Sequence, residues 1–230
     1  MDTKKILIGL IILGIIGFLI WFVFFSQNIN KTIMLELPTY IHTKYVKEIP
    51  SSKLPISEVG YKFTYSFWLY LKNIPGNGNW NTKYNKTYYI LYRFGSPNVI
   101  FHPKSNLLRI FMTYKDLESD IVKDYIDIEN LSLQQWQNIV IVLDDKKLDV
   151  YLNGEINNSL MLKNIPFIYN RPLLIGQKNS NFNGHVAKLE YYNDALDHNQ
   201  IASYYQSNKD SLPKDMLSYS EEYYINKSEL

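Results

Sequence analysis

The sequence predicts an all-β protein: a two-sheet antiparallel jelly-roll sandwich, preceded by one transmembrane α-helix and closed by one short C-terminal helix. Three observations predict it. From residue 61 onward, about ten short segments rich in β-branched and aromatic residues follow one another, with turn residues between them. No amphipathic helices alternate with those segments, as a parallel sheet would require. Residues 6–25, ILIGLIILGIIGFLIWFVFF, carry no charge, and at ~1.5 Å per residue twenty residues match the ~30 Å hydrocarbon core of a bilayer.

The elements follow in order. Residues 1–5 are a short tail in which Lys4 and Lys5 precede the apolar run, while Lys31 and Lys44 are the nearest cations after it. That asymmetry predicts a cytoplasmic N-terminus. Phe24, Phe25, Ser26 and Gln27 lack the small residues of a cleavage site, so residues 6–25 read as an uncleaved anchor. Trp21 suits the bilayer interface. Gly9, Gly14 and Gly17 do not form GxxxG and read as ordinary membrane-helix glycines. Residues 26–60, with Pro38, Pro50 and Pro55, read as a connector holding possible edge strands at 32–37 and 40–46.

Residues 61–206 form the predicted domain. In YKFTYSFWLYL (61–71) both alternating faces are apolar or aromatic, so this strand is covered on both sides. Strands at 87–94, 98–102, 106–114 and 120–128 follow, the last more polar and nearer an edge. WQNIVIVLD (136–144) is a continuous apolar run, as a central strand requires. In LDVYLNGE (148–155), Leu148, Val150 and Leu152 alternate with Asp149, Tyr151 and Asn153, and Asn153-Gly154 supplies a type I′ turn. This hairpin closes one edge of a sheet. Strands at 171–177 and 184–193 complete the set. Asp197 with Gln200 makes a capping box for a helix that brings Ile201, Tyr204 and Tyr205 to one face. Residues 207–230 read as a polar tail, disordered or laid on a partner.

Composition excludes several functions. The net charge of +2 provides no basic field for nucleic acid. Without cysteine there is no disulfide, zinc thiolate or thiol nucleophile. The aromatic content of 15% favours strands. Five N-x-[ST] sequons begin at Asn30, Asn85, Asn130, Asn157 and Asn226 and bear on function only if the domain enters a lumen.

The ordered set FTYSFWLYLK, WQNIVIVLDDKKLDVYLNGEI, LLIGQ and FNGHVAKLEYYNDALDHNQIASYY resembles the laminin G-like, concanavalin A-like lectin/glucanase superfamily over residues 61–206. The resemblance implies a jelly roll whose members bind sugars, bind proteins, hydrolyse glycans or build structure. The anchor, the cysteine-free domain and the Asn- and Lys-rich composition are together similar to membrane-anchored virion proteins of large DNA viruses.

Each chemistry has its candidate residues. The family's hydrolase branch carries E-x-D-x-x-E, with two carboxylates for acid and nucleophile work. In YIDIEN (125–130), Tyr125 and Asn130 replace the flanking carboxylates and only Asp127 matches, so no enzyme is expected and no catalytic residue is assigned. His42, His102, His185 and His198 are scattered and read as surface or turn histidines. Calcium is the one metal the family suggests, and Asp116, Glu118 and Asp120 are its candidate ligands. No other cofactor is implied. In NIPGNGNWNTKYN (73–85), the amides of Asn77, Asn79 and Asn81 suit sugar hydroxyls and Trp80 suits a sugar's apolar face. The reading is a single-pass membrane protein with a structural or adhesive role, partnered by the lipid bilayer and neighbouring structural proteins, in a setting such as a virion membrane or minor capsid layer. The alternative is a membrane-displayed glycan-binding module. A glycoside hydrolase comes third.

Overall fold

A computed structural model of the protein describes residues 9, 11–18, 30–41, 47–57, 60–73, 88–102, 106–115, 121–176, 182–214 and 216. The chain divides after Asn30 into two units. In the first, residues 11–18 are helical (α1) and their side chains are exposed. Among the described residues no helix is long and apolar enough to cross a membrane. The rest of the apolar run 6–25 lies outside the described residues.

The second unit is a sandwich of two antiparallel sheets. Its strands are β1 (Lys31–Leu35), β2 (Thr39–Ile41), β3 (Lys47–Ile49), β4 (Lys62–Leu71), β5 (Tyr88–Arg93), β6 (Asn98–His102), β7 (Leu107–Lys115), β8 (Ile121–Glu129), β9 (Trp136–Asp144), β10 (Lys147–Leu152), β11 (Glu155–Met161), β12 (Leu173–Ile175) and β13 (Gly184–Tyr192), followed by helix α2 (His198–Asn208). One sheet has the order β1-β13-β4-β9-β10-β11, with β2 also on β13, and the other the order β3-β12-β5-β6-β7-β8. The predicted connector therefore contributes: β1, β2 and β3 extend both sheets, and only residues 42–46 of its second possible strand lie outside the described residues.

Strand period explains the core. Phe63, Tyr65, Phe67 and Leu69 of β4, with Ile139, Ile141 and Leu143 of β9, face Ile90, Phe101, Leu108, Ile110, Ile126 and Ile128 of the opposite sheet. The other face of β4 and β9 is covered too. Val140, Val142 and Tyr151 pack under Ile201 of α2, and Trp68 and Ala187 pack under Leu212 beyond it. Trp68 stacks on Tyr205 at 5.7 Å and 18°, and the Trp136 indole donates to the Pro213 carbonyl at 2.8 Å. This second layer is why the central strands are apolar on both faces. Leu212 and Met216, within the stretch read as a polar tail, are buried.

Local signals form as expected. Asn153 and Gly154 have φ of 53° and 83°, the two positive values a type I′ turn needs. Asp197 and Gln200 form a reciprocal capping box at the start of α2. One expectation fails: His185 is not a surface histidine but is buried on β13, in ring contact with Tyr40 at 5.0 Å.

Candidate functional site

β11 and β8 are each the last strand of their sheet, and residues of both line one side of the sandwich. Between them runs a shallow, open groove of about 510 Å³, lined mostly by polar side chains. Its chemistry follows from strand alternation. On β8, Ile126 and Ile128 turn into the core, which leaves Tyr125, Asp127 and Glu129 on the outer face. Tyr125 is 51% exposed. On β11, register shifts between Val150↔Asn158 and Tyr151↔Ile156. Asn157 is thus the extra residue of a β-bulge, a device that re-aims side chains beside sites. The side-chain amides of Asn157 and Asn158 make no hydrogen bond among the described residues, and both line the groove.

Neighbouring strands pair with side chains of both walls. Arg109 on β7 stands opposite Asp127. Its guanidinium donates to both carboxylate oxygens at 2.7 Å and lies 3.8 Å from the Tyr125 ring centroid. The bond to Asp127 holds the Arg109 cation more firmly than usual, against its partial desolvation. On the other wall, Asp149 of β10 accepts from the Ser159 hydroxyl and from Lys147 at 2.7 Å. The hydrogen bond to Asp149 raises the Lys147 pKa. The groove thus offers a phenol stacked on Arg109 and half-exposed on β8, and on β11 two exposed amides beside the anchored Ser159.

The hydrolase motif is not completed on β8. Asp127, the one match to the hydrolase motif, has both oxygens occupied by Arg109, and Tyr125 replaces the acid that would stand two residues before it. What remains is an aromatic face for an apolar ring surface, with the Asn157 and Asn158 amides and the Glu129 carboxylate for hydroxyls.

Asn77, Asn79, Trp80 and Asn81, and the calcium candidates Asp116, Glu118 and Asp120, lie outside the described residues. Among the described residues no cluster of three carboxylate or histidine side chains could hold a metal. The strand ends flanking the two loops, Leu71 and Tyr88 for one and Lys115 and Ile121 for the other, lie at opposite ends of the sandwich. Sequence reasoning missed the groove because β11 is polar on both faces, with no apolar alternation to mark it as a strand. Its signal was the Asn153-Gly154 turn, which requires a returning strand over 155–161.

Comparison with known proteins agrees with this fold. No curated protein matches the sequence. Solved structures do. The receptor-binding domain of botulinum neurotoxin D aligns with a TM-score of 0.56 at 13% identity, over 79% of this chain and 48% of that one. The type G receptor-binding domain aligns at 0.51 and 15%, over 77% and 51%. The binding domain of Paraclostridial Mosquitocidal Protein 1 aligns at 0.52 and 17%, over 78% and 48%. The chain spans about half the length of these structures, and at such identities the likeness is one of fold. A family model covering residues 43–202, more than half of the chain, is described as the concanavalin A-like lectin/glucanases superfamily. By that match and by its two antiparallel sheets, the chain belongs to the concanavalin A-like lectin/glucanase superfamily.

Proposed function

We propose that the protein is a non-enzymatic glycan-binding module, displayed at a membrane by the apolar run 6–25, with its ligand held in the β8–β11 groove. The observation that carries this reading is the pairing of a half-exposed Tyr125 on one wall with unengaged Asn157 and Asn158 amides on the other. A tyrosine face covers the C–H face of a sugar ring, and amides meet its hydroxyls as both donor and acceptor. The receptor-binding names of the similar structures are consistent with a binding role, and the occupied Asp127 carboxylate speaks against hydrolysis.

The test is a glycan array probed with the full chain in detergent micelles, with and without calcium. A specific glycan should bind, and Tyr125→Ala should weaken it roughly 30-fold, as loss of an aromatic hot spot does. Binding that survives Tyr125→Ala but is lost in Trp80→Ala moves the site to Asn77, Asn79, Trp80 and Asn81. A calcium requirement implicates Asp116, Glu118 and Asp120. A structural or adhesive role, as in a virion layer, predicts instead a silent array and co-purification with neighbouring proteins.

A further inference from the structure

Large apolar side chains gather at one end of the sandwich. β-Sheet register defines that end: Met161 of β11, Lys147 of β10, Asp144 of β9 and Lys62 of β4 stand side by side. Hydrogen bonds join the opposite sheet to it. The Leu162 amide donates to the Lys146 carbonyl, and the Phe167 amide to Thr113, whose own amide donates to Gly95. The Lys163 amide donates to Asp124 near the start of β8. At this end Ile121 is 68% exposed, Met161 66% and Phe94 52%, with Tyr61, Ile165 and Tyr169 also exposed. The Phe94 and Tyr169 rings touch at 5.2 Å. The tips stand on a rigid base, because the buried Arg93 beneath them donates to the Tyr169 carbonyl at 3.3 Å. Lys115, Lys123, Lys146, Lys163 and Arg171 lie among them in sequence and register, together with Asp124, Asp144 and Asp145. The lysine and arginine stems can lie along apolar surface with the charge in water.

The chain enters the domain at the same end. β1 starts at Lys31, opposite Tyr192, and Tyr192 stands opposite Thr64, two residues from the start of β4. Lys31 is fixed there by its ion pair with the buried Glu190 at 2.8 Å. Only residues 26–30 separate this point from the apolar run 6–25. Five residues reach at most about 17 Å.

We propose that the sandwich end bearing Tyr61, Phe94, Ile121, Met161, Ile165 and Tyr169 docks on the surface of a lipid bilayer. The inference rests on the membrane-anchor reading above. A short tether leaves this end no distant resting place, and interfacial aromatics with flanking lysines are the side chains that bilayer interfaces accept. Apolar exposure of this extent on a water-facing end would otherwise invite association. Docking turns the opposite end of the sandwich, with Gln135 and the Asn153-Gly154 turn, away from the membrane and leaves the groove on its flank.

The chain has no cysteine, so single-cysteine variants report one position each. Full-length Ile121→Cys, Met161→Cys and, as control, Gln135→Cys are labelled with an environment-sensitive dye in phosphatidylcholine vesicles containing nitroxide lipids. The same vesicles are washed with alkaline carbonate to read the anchor separately. We expect retention of the protein and quenching at 121 and 161 several-fold greater than at 135. Retention with equal, weak quenching at all three positions overturns docking and leaves the anchor standing. Release by carbonate with no quenching overturns both. Release with quenching still confined to 121 and 161 removes the anchor and upholds docking.

Discussion

Two buried side chains set the character of the core at the residue scale. Arg93 reaches from one sheet to the other and donates to the Tyr65 hydroxyl at 2.8 Å between the sheets. Burial pushes the Tyr65 phenol well above its ordinary pKa, against the pull of the Arg93 cation. Tyr65→Phe leaves a buried guanidinium N–H unmatched, and its expected cost is about 1.5–3 kcal/mol, read by chemical denaturation. His185 is 3% exposed, and burial, helped by the nearby Lys72, depresses its pKa from 6.5 to about 4. Between these values the unfolded chain takes up a proton that the folded chain refuses. His185 therefore contributes stability that is fully present above pH 6.5 and is lost as the pH falls towards 4, on the order of 3 kcal/mol in all. Melting temperatures of His185→Gln should fall less steeply than those of the parent protein between pH 7 and pH 4.5. Parallel curves would mean that His185 is not held neutral by the fold.

Strand β9 and the β10–β11 hairpin carry the argument at the element scale. Ile141 of β9 is fully buried between the sheets. Ile141→Asp places an unpaired carboxylate there and should abolish folding, at a cost of several kcal/mol by order of magnitude. A soluble variant with an unchanged melting curve would contradict the register of β9. The hairpin turn is as constrained. A Cβ on Gly154 would stand 2.9 Å from the Cβ of Tyr205 on α2, at a φ of +83°. Gly154→Val should therefore be destabilised by about 1–3 kcal/mol and should loosen α2 with the hairpin, visible as faster hydrogen exchange over residues 198–208. Equal exchange in both proteins would show that the helix does not depend on the turn.

At the scale of the whole molecule, the segment after α2 continues the cover that α2 lays over the outer face of β4 and β9. Leu212 and Met216 are buried, and Leu212 packs on Trp68 while the Pro213 carbonyl accepts from Trp136. Ending the chain at Asn208 removes both apolar side chains, roughly 3–6 kcal/mol of burial. The shortened protein should melt lower and its tryptophan emission should shift to the red. An unchanged spectrum would mean that Trp68 and Trp136 do not rely on this segment.

Much of the fold was legible in local pattern, because period two, turn chemistry and caps are properties of neighbouring residues. The alternation of 61–71, the apolar run 136–144, the Asn153-Gly154 turn and the Asp197–Gln200 box each specify their element without any distant contact. The double cover of β4 was legible for the same reason, since both of its faces are apolar. Other features depended on residues far apart in the chain. That β8 and β11 become the two free edges beside one groove follows from strand order, which no local spacing encodes. The Arg109–Asp127–Tyr125 assembly needs the register of β7 on β8, and the burial of His185 needs β2 and β4 on either side of β13. The amino-acid sequence by itself determined most of the strands, the hairpin turn, the C-terminal helix and the family, because those rest on side-chain chemistry a few residues apart. Only the tertiary structure decided which polar side chains share a groove and which apolar tips share an end, because register and sheet order bring together residues that the chain keeps apart.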